Sequence, residues 1–376
     1  MKKFSFLLYA ALLFVMNADA KIRRVGFFGS PVSGTDYANF AACYTAAASG
    51  DTILMFPNTT VSGIISKKLM IAGPGYWLDP NSTPKGNSGR QAFAGVASIS
   101  TITLDPGSAG TVITGFNGGN IYVRDNDVTI SRNFDIDIYI TFLTPAGTIN
   151  NLQVLQNYRV SINQYYNNGS SSTNMNISNN LMKYFSTPAG NTYSGNISNN
   201  VWAYDGTQTT GGANGGATAL SGTNGIDLGA GAYLLQNNIF VSYTNASAGS
   251  SYNYFIFANG GNSVFNYNLA LQSSTAINWG VGTGNKIAPI SDAANIFNAF
   301  PAIGTASADA RYQLKTGSPA LTAGAGNTAI GMYAGSYPYK LSGIPAIPSI
   351  YALSSPQGNN PSGNTIQISL STRGNN

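Results

Sequence analysis

Apolar and polar positions alternate in short runs along most of this chain, and the runs recur. Six segments repeat one pattern, an apolar residue, one or two polar residues, an asparagine and a second apolar residue: 130–134, 155–158, 177–181, 197–201, 235–239 and 265–269. Their last asparagines, Asn133, Asn157, Asn180, Asn200, Asn238 and Asn268, are spaced 24, 23, 20, 38 and 30 residues apart. Periods of this size mark stacked repeats. Short β-rich runs bounded by Gly, Asn and Ser make each repeat a strand-turn-strand coil. Asparagine suits such a turn because it tolerates left-handed backbone angles. Its amide can also bond the asparagine of the next coil, which predicts a ladder.

The ends read differently. Segment 35–48 predicts a helix, capped by Thr35 with Asp36 in its first turn and Tyr37, Phe40, Ala41, Tyr44 and Ala48 on one face. Gly50 stops it, and 51–56 reads as a strand. A short amphipathic helix there caps the exposed end of a solenoid. Segment 312–320 closes the repeats, a proline-rich stretch follows at 337–356, and 365–371 reads as a final strand. Prolines prevent further lateral pairing, so 337–376 is expected to be a cap or a tail docked on the solenoid, or a strand donated to a second copy. Spacers at 79–98 and 206–231 interrupt the rhythm as loops.

Residues 1–20 have the pattern of a secretory signal peptide. Lys2 and Lys3 precede an apolar run at 4–15, and Ala18 and Ala20 are small residues at the cleavage positions, with Lys21 as the new N-terminus. The expected location is outside the cell, secreted or attached to its surface, with the solenoid over 21–336 and no membrane span after cleavage.

Composition narrows the chemistry. Only 8% of residues are charged, histidine and glutamate are absent, and glycine numbers 44, yet 43% of the chain is hydrophobic and 11% aromatic, enough to build a core. Without histidine, Ser-His-Asp and Cys-His catalysis and the usual zinc sites are excluded. The lone Cys43 forms no internal disulfide and reads as a small buried residue. Net charge is +5, but the basic residues are scattered and form no face for nucleic acid.

Segments 48–53 and 64–76 resemble the opening coils of pectate-lyase-like right-handed parallel β-helix proteins, and 314–335, with Gly317-Ser318-Pro319-Ala320 and Gly331-Met332-Tyr333, resembles their closing coil. The overall texture is similar to secreted β-helix proteins of Bacteroidetes bacteria. The resemblance implies an all-β, right-handed, single-stranded parallel β-helix. That fold hosts lyases, hydrolases, esterases and adhesins, so function must be argued from the site. Family resemblance implies that lyases need several carboxylates for calcium and an Arg or Lys base, and that the hydrolases need an Asp-Asp pair. The chain has no Asp-Asp dipeptide.

One acidic concentration remains, in 124–138. Alternation puts Phe134, Ile136 and Ile138 on one face and Asp135, Asp137 and Tyr139 on the other. Asp135 and Asp137, with Asp125 and Asp127, form a candidate Ca²⁺ site through oxygen ligands, and Arg124 or Arg132 is the candidate base of a β-elimination. The opposing reading is an exposed strand whose charges discourage aggregation. Trp202 and Tyr204 are candidate aromatic contacts for sugars, since alternation sets Trp202 opposite Val201; core stacking is the competing role. Two functions follow. The first is a secreted or cell-surface structural or adhesive solenoid without catalysis, binding polysaccharide or other cell-surface components or associating with itself. The alternative is a calcium-dependent lyase acting on a uronate polysaccharide.

Overall fold

Alternation along the runs fixes which side chains turn inward, and stacking the runs in parallel gives each coil a partner for its apolar side. The computed structural model describes residues 20–26, 30–79, 81, 86–87, 95–144, 146–165, 169–187, 192–203, 226–241, 243–245, 250–252, 262–272, 279–300, 306–354 and 369–374. Two long parallel sheets run the length of a β-helix solenoid. The first extends from the Asp36–Tyr37 and Ile22–Val25 strands to Val281–Thr283, and the second from Thr60–Ile65 to Lys286–Pro289. Inward residues of successive coils lie in register. Ile113, Ile130, Val154, Ile177, Ile197 and Leu235 form one column in the first sheet. Ile121, Ile138, Ile162 and Phe185 form another in the second. All of these are fully buried, so the core is a continuous apolar rod between the sheets.

The two sheets meet at the asparagine turn. Each turn has two residues with different tasks. The first takes a left-handed conformation: Arg132, Gln156, Asn179, Asn199, Asn237 and Tyr267 have φ between 53° and 59°. The second is the repeated asparagine. The left-handed angle expected of the repeated asparagine thus belongs to the residue before it. The asparagine instead turns inward and builds the ladder. Asn180 Oδ1 accepts both the N–H (2.8 Å) and the Nδ2–H (3.0 Å) of Asn157, while its own Nδ2 donates to Val154 O (2.8 Å) and Asn200 Oδ1 (3.0 Å). Asn157, Asn200, Asn238 and Asn268 repeat the arrangement, so fully buried amides have both donors and both acceptor positions filled. A seventh rung, Asn285, follows 17 residues after Asn268. Its preceding residue is Gly284, φ +71°.

The N-terminal helix is shorter than expected. Helix α1 spans Phe40–Ala46 and is capped by Asn39, whose side chain accepts from Ala42 N. Asp36 and Tyr37 form a short strand instead, because Asp36 is held by both Arg24 Nε (2.6 Å) and Nη2 (2.8 Å) across the strand pair. Cys43 is buried in this cap, and burial pushes its thiol up to about 11.

Past Pro289 the chain leaves the coils and returns along the outside. Residues 312–335 form no coil. They run through short 3₁₀ turns (Pro319–Thr322, Ala325–Asn327), because the stripe that follows each ladder asparagine needs a cover. That stripe is Tyr158, Leu181, Val201, Ile239 and Leu269, which pack under Tyr312, Ile330, Met332 and Tyr339 as a second apolar cluster. The strap is read by the left-handed turn residues. Gly331 N donates to Asn237 O, Asn179 Nδ2 to Met332 O and Ala334 O, Gln156 Nε2 to Tyr337 O and Pro338 O, and Arg132 Nη1 to Ile344 O. The strap therefore climbs from the last coils back toward the first. Its end forms an antiparallel hairpin of Ser349–Ser354 with Ser369–Arg373, so the final strand pairs with the tail itself. The leader 1–19, most of both spacers, Tyr204 and residues 365–368 lie outside the described residues. Among the described residues, no helix is long and apolar enough to cross a membrane.

Candidate functional site

Outward positions on the second sheet bring a group of ionisable and aromatic side chains together. Between the buried Ile136, Ile138 and Ile140, Asp137 and Tyr139 turn out. Register sets Tyr139 against Tyr122 on one neighbouring strand and Asn163 on the other, and Asp137 between Asn120 and Ser161. Tyr122 and Tyr139 stack with ring centroids 4.9 Å apart and planes 20° from parallel, and Tyr165 continues the row at 5.7 Å. Tyr165 is 50% exposed and ends the row with an open ring. Burial, then the nearby Asp137 carboxylate and the two neighbouring phenols, push the Tyr139 hydroxyl above its ordinary range, so it stays protonated at neutral pH.

Beside the rings lies an ion cluster. Asp135 and Arg159 occupy equivalent left-handed positions in adjacent coils (φ 53° and 62°), which bends both strands away from the asparagine turn. In the next coil Lys183 is an extra residue in the strand, opposite a shift of register. Its Nζ reaches back to Asp135 Oδ1 at 3.0 Å and Asp137 Oδ1 at 2.9 Å, and Arg159 Nε lies 3.5 Å from Asp135 Oδ1. The cations are the deeper partners: side-chain exposure is 4% for Lys183 and 11% for Arg159, against 36% and 32% for Asp135 and Asp137. The surface thus presents carboxylate oxygens, neutralised from beneath.

The other candidates do not join this face. Asp125 and Asp127 lie in the turn before the Thr129–Ser131 strand. Asp125 accepts from Gly107 N and Asn126 N, and Asp127 accepts from Asn151 Nδ2. Among the described residues, no three carboxylates converge as a metal site would require, and the ammonium of Lys183 sits between the two that do pair. Arg124 bonds Thr141 Oγ1 and Asp105 Oδ1. Arg132 is buried in the asparagine turn, donating to Gln156 Oε1 and Ile344 O, where it fastens the strap and is closed to substrate. Alternation does set Trp202 opposite Val201, but in the reverse sense. Trp202 points into the core, 1% exposed and stacked on Phe240, while Val201 lies under the strap.

Tyr139 was legible as an outward neighbour of Asp135 and Asp137. Tyr122, Arg159 and Lys183 were not, although Ile121-Tyr122-Val123 carries the same signal of an aromatic residue between two inward aliphatics. Lys183 breaks alternation, being the bulged residue, and pattern alone sends it the wrong way. No family model matches the chain, and neither a curated protein nor a solved structure does.

Proposed function

We propose that this chain is a secreted or cell-surface β-helix protein of the pectate-lyase-like kind that binds a neutral, hydroxyl-rich glycan on the outer face of its second sheet, in an adhesive or structural role without a catalytic step. The observation that carries this reading is the row Tyr122, Tyr139, Tyr165 beside the Asp135–Asp137 pair. An open tyrosine ring packs against the apolar face of a sugar, and fixed carboxylate oxygens accept its hydroxyls. Lys183 and Arg159 approach the Oδ1 atoms, which leaves Asp135 Oδ2 and Asp137 Oδ2 for such donors.

The same geometry argues for the charge of the ligand. Lys183 and Arg159 are spent beneath the carboxylates, so a uronate would meet Asp135 and Asp137 first and be repelled. This disfavours the uronate lyase. Export and surface location rest on the leader pattern of residues 1–20 and on the resemblance of segments 48–76 and 314–335.

Retention of the purified chain on immobilised neutral, amino and uronate polysaccharides, with and without Ca²⁺, tests the reading. Retention by a neutral glycan, independent of Ca²⁺, is expected. Growth of unsaturated-product absorbance on a uronate polysaccharide would replace it with the lyase.

A further inference from the structure

The entry of the chain into the first coil is governed by one buried carboxylate. Asp51 is 1% exposed. Its Oδ1 accepts the main-chain N–H of Lys21 at 2.8 Å, and its Oδ2 accepts Arg23 Nε at 2.7 Å and Ala48 N–H at 2.9 Å. The Arg23 guanidinium continues to Gly34 O at 3.1 Å and Tyr37 OH at 2.8 Å, which fixes the carboxylate from behind. Among the described residues, the first to reach this acceptor is the one that follows Ala20. Ala20 and Lys21 are both exposed, and Ala18 and Ala20 are the small residues that export peptidases read on the leader side of the bond they cut.

We infer that the Ala20–Lys21 bond is a processing site and that Asp51 is the receptor for the N-terminus it releases. The cut is a hydrolysis by an endopeptidase. The oxygen of water bonds to the Ala20 carbonyl carbon, the carbon–nitrogen bond breaks, and the nitrogen takes up protons. The leader departs with a carboxylate and Lys21 keeps an α-ammonium. Before the cut the Lys21 nitrogen offers Asp51 one neutral amide hydrogen. Afterwards the same atom is a cation, and its bond to Asp51 becomes charge-assisted. Arg23 and the new ammonium then share the carboxylate, one on each oxygen. Another cation of this cap, Lys67, is engaged elsewhere, with Nζ on Tyr44 O (3.0 Å) and Ala47 O (2.7 Å) at the end of α1. Processing thereby completes the ion pairing that holds the first strand, whatever the second sheet binds.

Sequencing the N-terminus of the exported protein and labelling its α-amine test this together. Lys21 is expected as the first residue. An ammonium paired with the Asp51 carboxylate holds its proton more tightly than a free α-amine, so at pH 7 it should acylate several-fold more slowly than in the Asp51→Asn chain. The carboxamide in that variant would keep an acceptor for the same nitrogen. A chain that retains Ala20, with its amine one residue farther out, should also label at the faster rate, and it keeps the test sound if Asp51→Asn disturbs the cap. A different first residue, or equal labelling rates in all three chains, would overturn the inference.

Discussion

Asn179 and Asn180 are neighbours in the chain whose carboxamides face opposite ways. Asn179 Nδ2 donates outward to Met332 O and Ala334 O of the strap, and Asn180 Nδ2 donates inward to Val154 O and Asn200 Oδ1 of the ladder. Their exchange of tasks at each turn joins the coils to one another and to the tail that covers them.

The two positions should differ in cost. Asn180→Ala leaves the N–H and Nδ2–H of Asn157 without a partner in a buried turn. At about 1–3 kcal/mol for each orphaned group, the loss is about 2–6 kcal/mol. Asn179→Ala orphans no donor and takes one from two strap carbonyls, of which Met332 O still accepts from Tyr339 N, so about 1–2 kcal/mol is expected, with the strap becoming the first protease target. Denaturant unfolding of both variants checks this, and equal losses would deny the ladder its role.

The strap also makes stability depend on pH. Asp309 is fully buried, and burial pushes its carboxyl above the ordinary range even though Ser342 N, Asn87 Nδ2, Ser307 Oγ and Tyr339 OH all donate to it. The folded chain therefore holds this proton more tightly than the unfolded chain. The contribution is full below the unfolded value of about 3.8 and is lost as pH rises through the raised one. Asp309→Asn should lower stability overall yet flatten the fall above pH 4, measured as unfolding midpoints across the pH range. An unchanged slope would remove Asp309 as its source.

Much of the fold is written in the repeat. The spacing of Asn133, Asn157, Asn180, Asn200, Asn238 and Asn268 is that of the ladder itself, and alternation sorted Ile136 and Ile138 from Asp137 and Tyr139 correctly. Three features escaped. The left-handed residue was misplaced by one position, because Arg132, Gln156 and Tyr267 carry no turn signature of their own and are held there by the strap and the stacked coils. The α1 boundary moved because the Arg24–Asp36 pair outweighs the local helix preference of Asp36 and Tyr37. Lys183 joined the site through a register shift, and only three-dimensional pairing reveals one. The same limit reversed Trp202, since alternation assigns opposite faces without saying which is inside.

Trp202→Phe separates the core role from a binding role. The indole Nε1 of Trp202 is buried without a hydrogen-bond partner, so the change removes an unsatisfied donor while opening a small cavity. A net change within about 2 kcal/mol is expected, with glycan affinity unaltered. Loss of binding in this stably folded variant would bring Trp202 back as a contact.

Lys183 occupies the position between Asp135 and Asp137 that a cation would take. Chelator or millimolar Ca²⁺ should therefore leave the unfolding midpoint of the native chain unchanged. Lys183→Ala, which uncovers two like charges, should be destabilised and should regain part of the loss with Ca²⁺. A Ca²⁺-dependent rise in the native chain, abolished by Asp135→Ala, would instead support the calcium site.

Binding of a neutral glycan by the outer face of the second sheet is decided by calorimetric titration of the native chain and Tyr139→Ala with the glycan that retains it. Removing the middle ring of the Tyr122–Tyr139–Tyr165 row should weaken binding at least about tenfold, the effect of about 1.4 kcal/mol, with the unfolding midpoint little changed. Equal affinity in the two chains would contradict it.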